Sequence, residues 1–104
     1  MIKITTIHKY PLEIKDEQII TIPFIYTGLY TALNIKKQIL KLDVQNEIPC
    51  LWTMVDDKAY KRDIKVTIYR TGYECPELIE NYIDSFQICS HDIQDFYHVF
   101  VKEK

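Results

Sequence analysis

The stretch ILKLDVQNEIPCLWTMV, residues 39–55, decides the fold. Leu40, Leu42 and Val44 alternate with Lys41, Asp43 and Gln45. That period of two is expected of a strand with one face buried. Asn46-Glu47 is a candidate two-residue turn, weaker than Asn-Gly. Ile48 to Val55 is almost wholly apolar, as in a strand covered on both faces. Two strands joined by so short a turn make an antiparallel hairpin.

The same period recurs on both sides of this hairpin. Ile2 to Tyr10 is rich in Ile and Thr and stops at Pro11, which has no N–H to give to a ladder. Glu17 to Ile22 reads as a second strand ending at Pro23, with a turn at Asp16-Glu17 before it. The two are close enough in sequence to pair as a hairpin. Ile64, Val66 and Ile68 alternate with Lys65, Thr67 and Tyr69. Phe96 to Lys102 is β-branched and aromatic and reads as a closing strand. Two stretches are less regular. Phe24–Gln38 is a long connection with Leu29 and Leu33 four apart, so a short helix over Leu29–Lys37 is expected. Pro76 can open a helix, and Leu78, Ile79, Tyr82 and Ile83 fall on one face of it; Tyr82–Cys89 reads as either helix or strand. The expectation is one domain, 1–104, of the all-β class, or β-rich with one or two short helices. Six to seven short, mostly antiparallel strands would form a sandwich or barrel.

Composition narrows the function. The chain has 104 residues, 47% of them hydrophobic, and a net charge of −2 from 13 basic and 15 acidic residues. Only Arg62 and Arg70 are arginines. A duplex-binding domain is usually basic and arginine-rich, so no duplex nucleic acid is expected as a partner. No run approaches the roughly 20 apolar residues of a membrane helix, and the N-terminus lacks a signal-peptide core. Cys50, Cys75 and Cys89 are odd in number and have no CxxC spacing. Free thiols in a cytoplasmic compartment are the simplest reading.

Catalytic and metal motifs are lacking. There is no HExxH pattern, no Gly-rich phosphate loop and no nucleophile elbow. Asp56-Asp57 reads as a solvated turn. His8 and His98 lie in the two terminal strands, where they would meet if those strands were neighbours, as in a small hydrolase. The expectation is no catalytic residues, no metal and no cofactor. Aromatic residues are the stronger signal, with eight tyrosines, four phenylalanines and one tryptophan. Tyr69, Arg70, Thr71 and Tyr73 surround a bend at Thr71-Gly72-Tyr73. Gly72, one of two glycines, is expected to take a backbone angle that other residues avoid. Tyrosine stacks on bases and arginine pairs with phosphate. With Tyr26 and Tyr30 in the irregular connection, and His98, these are the candidate ligand-binding residues. Core-capping tyrosines are the plain alternative.

Six short pieces occur in an order that resembles a family of small bacteriophage and prophage proteins of unassigned function. They are Ile7-His8-Lys9-Tyr10-Pro11-Leu12, Ile22-Pro23, Pro49-Cys50-Leu51-Trp52 with Val55-Asp56, Ile68-Tyr69 before Thr71-Gly72, Tyr82-Ile83 before Phe86-Gln87, and His98-Val99-Phe100. The resemblance implies a viral origin and an all-β fold. It departs from that family's pattern at Phe24–Gln38, which is longer, and at Tyr73, where relatives carry histidine. Small phage accessory proteins are often counter-defence factors. That association, with the near-neutral charge, the wealth of tyrosine and the lack of catalytic motifs, leads to the expectation of a non-enzymatic binder in the host cell cytoplasm, a homo-oligomer that sequesters a small nucleotide signal. The alternatives are an inhibitor of a host defence protein, in the manner of an anti-CRISPR, or a virion structural protein.

Overall fold

The computed structural model describes residues 5–27, 32–74, 81–90 and 93–103. Among them are seven strands and one single-turn helix: β1 (Thr6–Pro11), β2 (Glu17–Pro23), α1 (Ile35–Gln38), β3 (Ile39–Gln45), β4 (Ile48–Val55), β5 (Lys61–Arg70), β6 (Tyr82–Ser90) and β7 (Ile93–Glu103). All pairings are antiparallel. A three-stranded sheet has the order β1-β4-β3 and a four-stranded sheet the order β2-β5-β7-β6. Leu42, Leu51 and Val55 of the first sheet join Ile22, Ile64, Val66, Val99 and Val101 of the second in one buried cluster. The molecule is thus an all-β sandwich, as the alternating pattern implies.

The β3–β4 hairpin forms where the sequence places it. Asn46 and Glu47 both take positive φ, 52° and 65°, as a two-residue turn of the primed type requires. One detail departs from the simple alternation. The register shifts between Ile39 and Lys41, and this bulge turns Leu40 away from the core. Leu40 is 49% exposed, whereas Leu42 is buried. A bulge adds one residue to a strand, and the side chains before it change face.

The expected β1–β2 hairpin is not formed. β1 pairs with β4, and β2 with β5. The segment between them crosses from one sheet to the other. Leu12 is buried in the shared core, and no glycine is there to make a tight reversal. The Gln18 side chain instead ties the crossing down, accepting from Glu13 N at 3.1 Å and donating to Glu13 O at 2.6 Å.

In the long connection, Phe24 and Ile25 are buried, and Tyr26 forms a lone antiparallel bridge with Ala32. The helix expected over Leu29–Lys37 is reduced to Ile35–Gln38, with residues 28–31 outside the described residues. Asn34 caps it by accepting from Lys36 N at 2.9 Å. Gln38, fully buried, holds the connection to the sheets. It accepts from Ile25 N at 3.1 Å and donates to Met54 O at 3.0 Å.

Two readings that the sequence leaves open are decided. The helical face that was to include Tyr82 and Ile83 is not helical there, because both belong to β6; residues 75–80 lie outside the described residues. The terminal strands are not neighbours. β1 is an edge of the smaller sheet, whereas the closing strand β7 runs between β5 and β6 in the larger one. His8 lies against Asp57 at 3.1 Å and does not share a site with His98. Asp57 also accepts from Thr6 Oγ1 at 2.7 Å, and Asp56 accepts from Lys58 N at 3.1 Å. The acidic pair is therefore a hydrogen-bonded turn.

Candidate functional site

In β5, Ile64, Val66 and Ile68 are buried, so Lys65, Thr67 and Tyr69 stand on the outer face of the larger sheet. In β7, Val99 and Val101 are buried, which leaves Phe96, His98 and Phe100 on that same outer face. Register sets their neighbours. Tyr69 lies opposite His98, and Tyr82 opposite Phe100. The rings pack as a cluster across three strands. Ring centroids are 5.7 Å apart for Tyr69–Phe100, 5.2 Å for Tyr82–Phe100 and 6.2 Å for Tyr82–His98. The first is edge-on and the others are tilted, the arrangements that aromatic quadrupoles favour.

The Thr71-Gly72-Tyr73 bend rises over one end of this shelf. Tyr73 N donates to Arg70 O at 3.1 Å, closing a four-residue turn. Gly72, with φ +94°, stands third in it, where a type II turn requires a positive angle. A Cβ on Gly72 would meet nothing within 4 Å, so the glycine is there for its backbone angle and not for space. Thr71 N donates to Phe96 O at 2.8 Å, which anchors the bend to β7. Thr71 Oγ1 and His98 Nε2 share a hydrogen bond of 2.7 Å. Arg70 stacks on the Tyr73 ring at 5.3 Å and pairs with Asp95. That charge-assisted bond with Asp95 raises the guanidinium pKa above its already high ordinary value.

These side chains enclose an open cleft of about 530 Å³, within the size range of small-molecule sites. Its lining joins Tyr69, Tyr82 and Phe100 to the polar Thr71, His98 and Arg70. A second hollow of about 720 Å³ lies behind Tyr69, Arg70 and Tyr73 and is edged by Lys15, Lys65 and Glu17. Its charges compensate one another: Lys65 pairs with Glu17, and Lys15 with Glu13 at 2.9 Å. The first cleft therefore carries the stronger recognition features, flat apolar faces with a few directed polar groups.

Five of the seven residues singled out from sequence, Tyr69, Arg70, Thr71, Tyr73 and His98, line this cleft. Tyr26 does not; it packs partly buried against the core. Tyr30 lies outside the described residues. Sequence reading missed Tyr82 and Phe100. The alternation Phe96-His98-Phe100 held a signal for Phe100, since it puts that ring on the face of His98. Tyr82 lies in a segment that reads as either helix or strand, so the pattern alone does not fix its face.

Every described strand lies inside residues 3–104, the span matched by a family model described as a domain of unknown function (DUF7352). The chain belongs to the DUF7352 family. No curated protein and no solved structure matches it. Both sheets and the cleft of this DUF7352 member fall within the matched span. Among its described residues, no helix is long and apolar enough to cross a membrane.

Proposed function

We propose that this DUF7352 protein is a non-enzymatic accessory protein of a bacteriophage that counters host immunity by sequestering a small nucleotide signal in the aromatic cleft. The observation that carries the reading is the cleft itself. It sets a shelf of three packed rings beside an imidazole–hydroxyl pair and a guanidinium. A base stacks on the rings, its polar edge meets His98 and Thr71, and a phosphate approaches Arg70. The near-neutral net charge suits a ligand with few phosphates better than a long polyanion. Because Arg70 already pairs with Asp95, a phosphate must share or displace that partner, which favours a small, selective ligand. The viral origin and the host cytoplasm rest on the six short motifs, and the homo-oligomer on the openness of the cleft, which a second subunit would close.

A second reading is that the same face blocks a host defence protein. Exposure of Tyr73 (66%) and Phe96 (46%) favours it, because exposed aromatic residues often anchor protein interfaces.

Thermal shift and calorimetry against cyclic dinucleotides and ADP-ribose derivatives separate the two. A bound signal raises the melting temperature with ligand concentration, by about 2.7 kcal/mol of stability at a hundredfold excess over Kd. No stabilisation by any of them well above micromolar concentration rules out the sequestration reading. Capture of a defence protein in that case supports the second.

A further inference from the structure

The outer face of β6 and β7 is ordered in ranks. Tyr82 faces Phe100, Ser85 faces His98, and Gln87 faces Phe96. Ring ranks thus stand at both ends with a hydroxyl–imidazole rank between them. Of these ranks the cleft uses the first ring pair and, from the polar rank, His98. Phe96 does not line it, yet it is 46% exposed on the same face of the same strand. Phe96 and Phe100 are four positions apart, about 14 Å at roughly 3.4 Å per residue. The turn carrying Arg70 is tied to this far end, since Thr71 N donates to Phe96 O at 2.8 Å and Arg70 lies in register with Tyr97.

From this order we infer that the site takes two linked bases, as in a dinucleotide, one on the Tyr69–Phe100–Tyr82 shelf and the other on Phe96, with the sugar–phosphate link crossing the polar rank. The inference rests on the nucleotide reading of the same cleft and names its ligand class. A single nucleotide covers the cleft and leaves Phe96 in water. Two bases stacked on each other are about 3.4 Å apart, far less than the rank spacing, so the bound bases are splayed. Splayed bases on separate aromatic platforms are the usual mode of single-strand recognition on an open sheet. The middle rank suits the link chemically. Ser85 offers a hydroxyl and His98 an imidazole, while the Arg70 guanidinium, held on Asp95 and the Tyr73 ring, stands at the rim of the cleft. Gln87, opposite Phe96, presents an amide that both donates and accepts, as the edge of a base requires.

The test is calorimetry with linear and cyclic dinucleotides of purines and pyrimidines beside the corresponding monophosphates, on the full chain and on three variants. Dinucleotides are expected to bind at least about tenfold more tightly than monophosphates. Phe96→Ala should weaken dinucleotide binding by about fivefold to a hundredfold, the usual worth of one base–aromatic stack, and leave monophosphate binding unchanged. Phe96→Tyr should restore it, because the ring and not the volume matters. Tyr82→Ala should weaken both ligand classes. Melting curves of each variant separate lost stacking from lost fold: the Phe96 variants are expected to melt with the parent because that ring is exposed, and Tyr82→Ala a little below it because Tyr82 packs on Phe100. Equal binding of both classes, or indifference of dinucleotides to Phe96→Ala, overturns the two-base site and leaves the nucleotide reading standing. Binding of neither class overturns both. A Phe96→Ala effect confined to capture of a host protein overturns the two-base site in favour of a protein interface.

Discussion

Gln38 shows how much one polar side chain can hold in a β sandwich. Its amide is fully buried and joins the end of β2, the start of the long connection and β4. Truncation to alanine leaves Ile25 N–H and Met54 C=O without a partner, at about 1–3 kcal/mol for each unsatisfied group. Gln38→Ala is expected to lose about 2–4 kcal/mol of stability in urea unfolding; a loss below about 1 kcal/mol would mean that the connection is held by apolar packing alone. Tyr10 makes a second residue-scale prediction. Burial, followed by the charge of Asp57, raises its phenol pKa. A raised folded-state pKa means that folding favours the neutral phenol. The contribution is complete below the unfolded value near 10 and is lost as pH rises through the folded one. Stability of the parent should therefore fall faster than that of Tyr10→Phe above about pH 10. Urea midpoints measured across that range check it, and parallel declines would refute it.

At the scale of elements, the β3–β4 turn is where local sequence and local structure are most in tension. Glu47 holds φ 65°, a left-handed angle that costs a side-chain-bearing residue about 1–2 kcal/mol. Glu47→Gly removes that strain and is expected to stabilise the protein by about 0.5–1 kcal/mol after the added chain entropy of glycine. A chemical-denaturation midpoint that moves down would contradict it. The elements that could be read from sequence were those with a strict period of two and a hard stop. β2, β4, β5 and β7 alternate or run apolar and end at Pro23, Asp56, Thr71 and the C-terminal charges. The elements that misled were those where periods overlap. Tyr82 and Ile83 fit a helical face after Pro76 as well as an alternating strand, and only the ladder to β7 decides between them. Leu40 misled for a different reason: a bulge has no signature in hydrophobic pattern, yet it reverses the face of every residue before it.

For the molecule as a whole, the pairing of strands was the part that sequence could not supply. β1 and β2 are neighbours in the chain but belong to different sheets, and β7 inserts between β5 and β6. Such pairings depend on which faces bury together in three dimensions, and no local pattern encodes that. The candidate site inherits the same limit. Tyr69 to Tyr73 could be read because they are contiguous, and His98 because histidine is conspicuous, but Tyr82 and Phe100 join them only through register. The topology also predicts a rate. With most ladders linking distant segments, refolding should take milliseconds to seconds, as is typical of all-β sandwiches. Stopped-flow refolding complete in microseconds would contradict it. The two faces of β7 carry one further consequence. Tyr97, Val99 and Val101 point into the core, while Phe96, His98 and Phe100 point out. Every second residue of one strand thus answers to a different selective demand. If the outer face binds as proposed, outward positions can be exchanged to follow a changing ligand while the inward ones keep the fold. On that reading β7 is one strand through which the outer face can change while the core stays as it is.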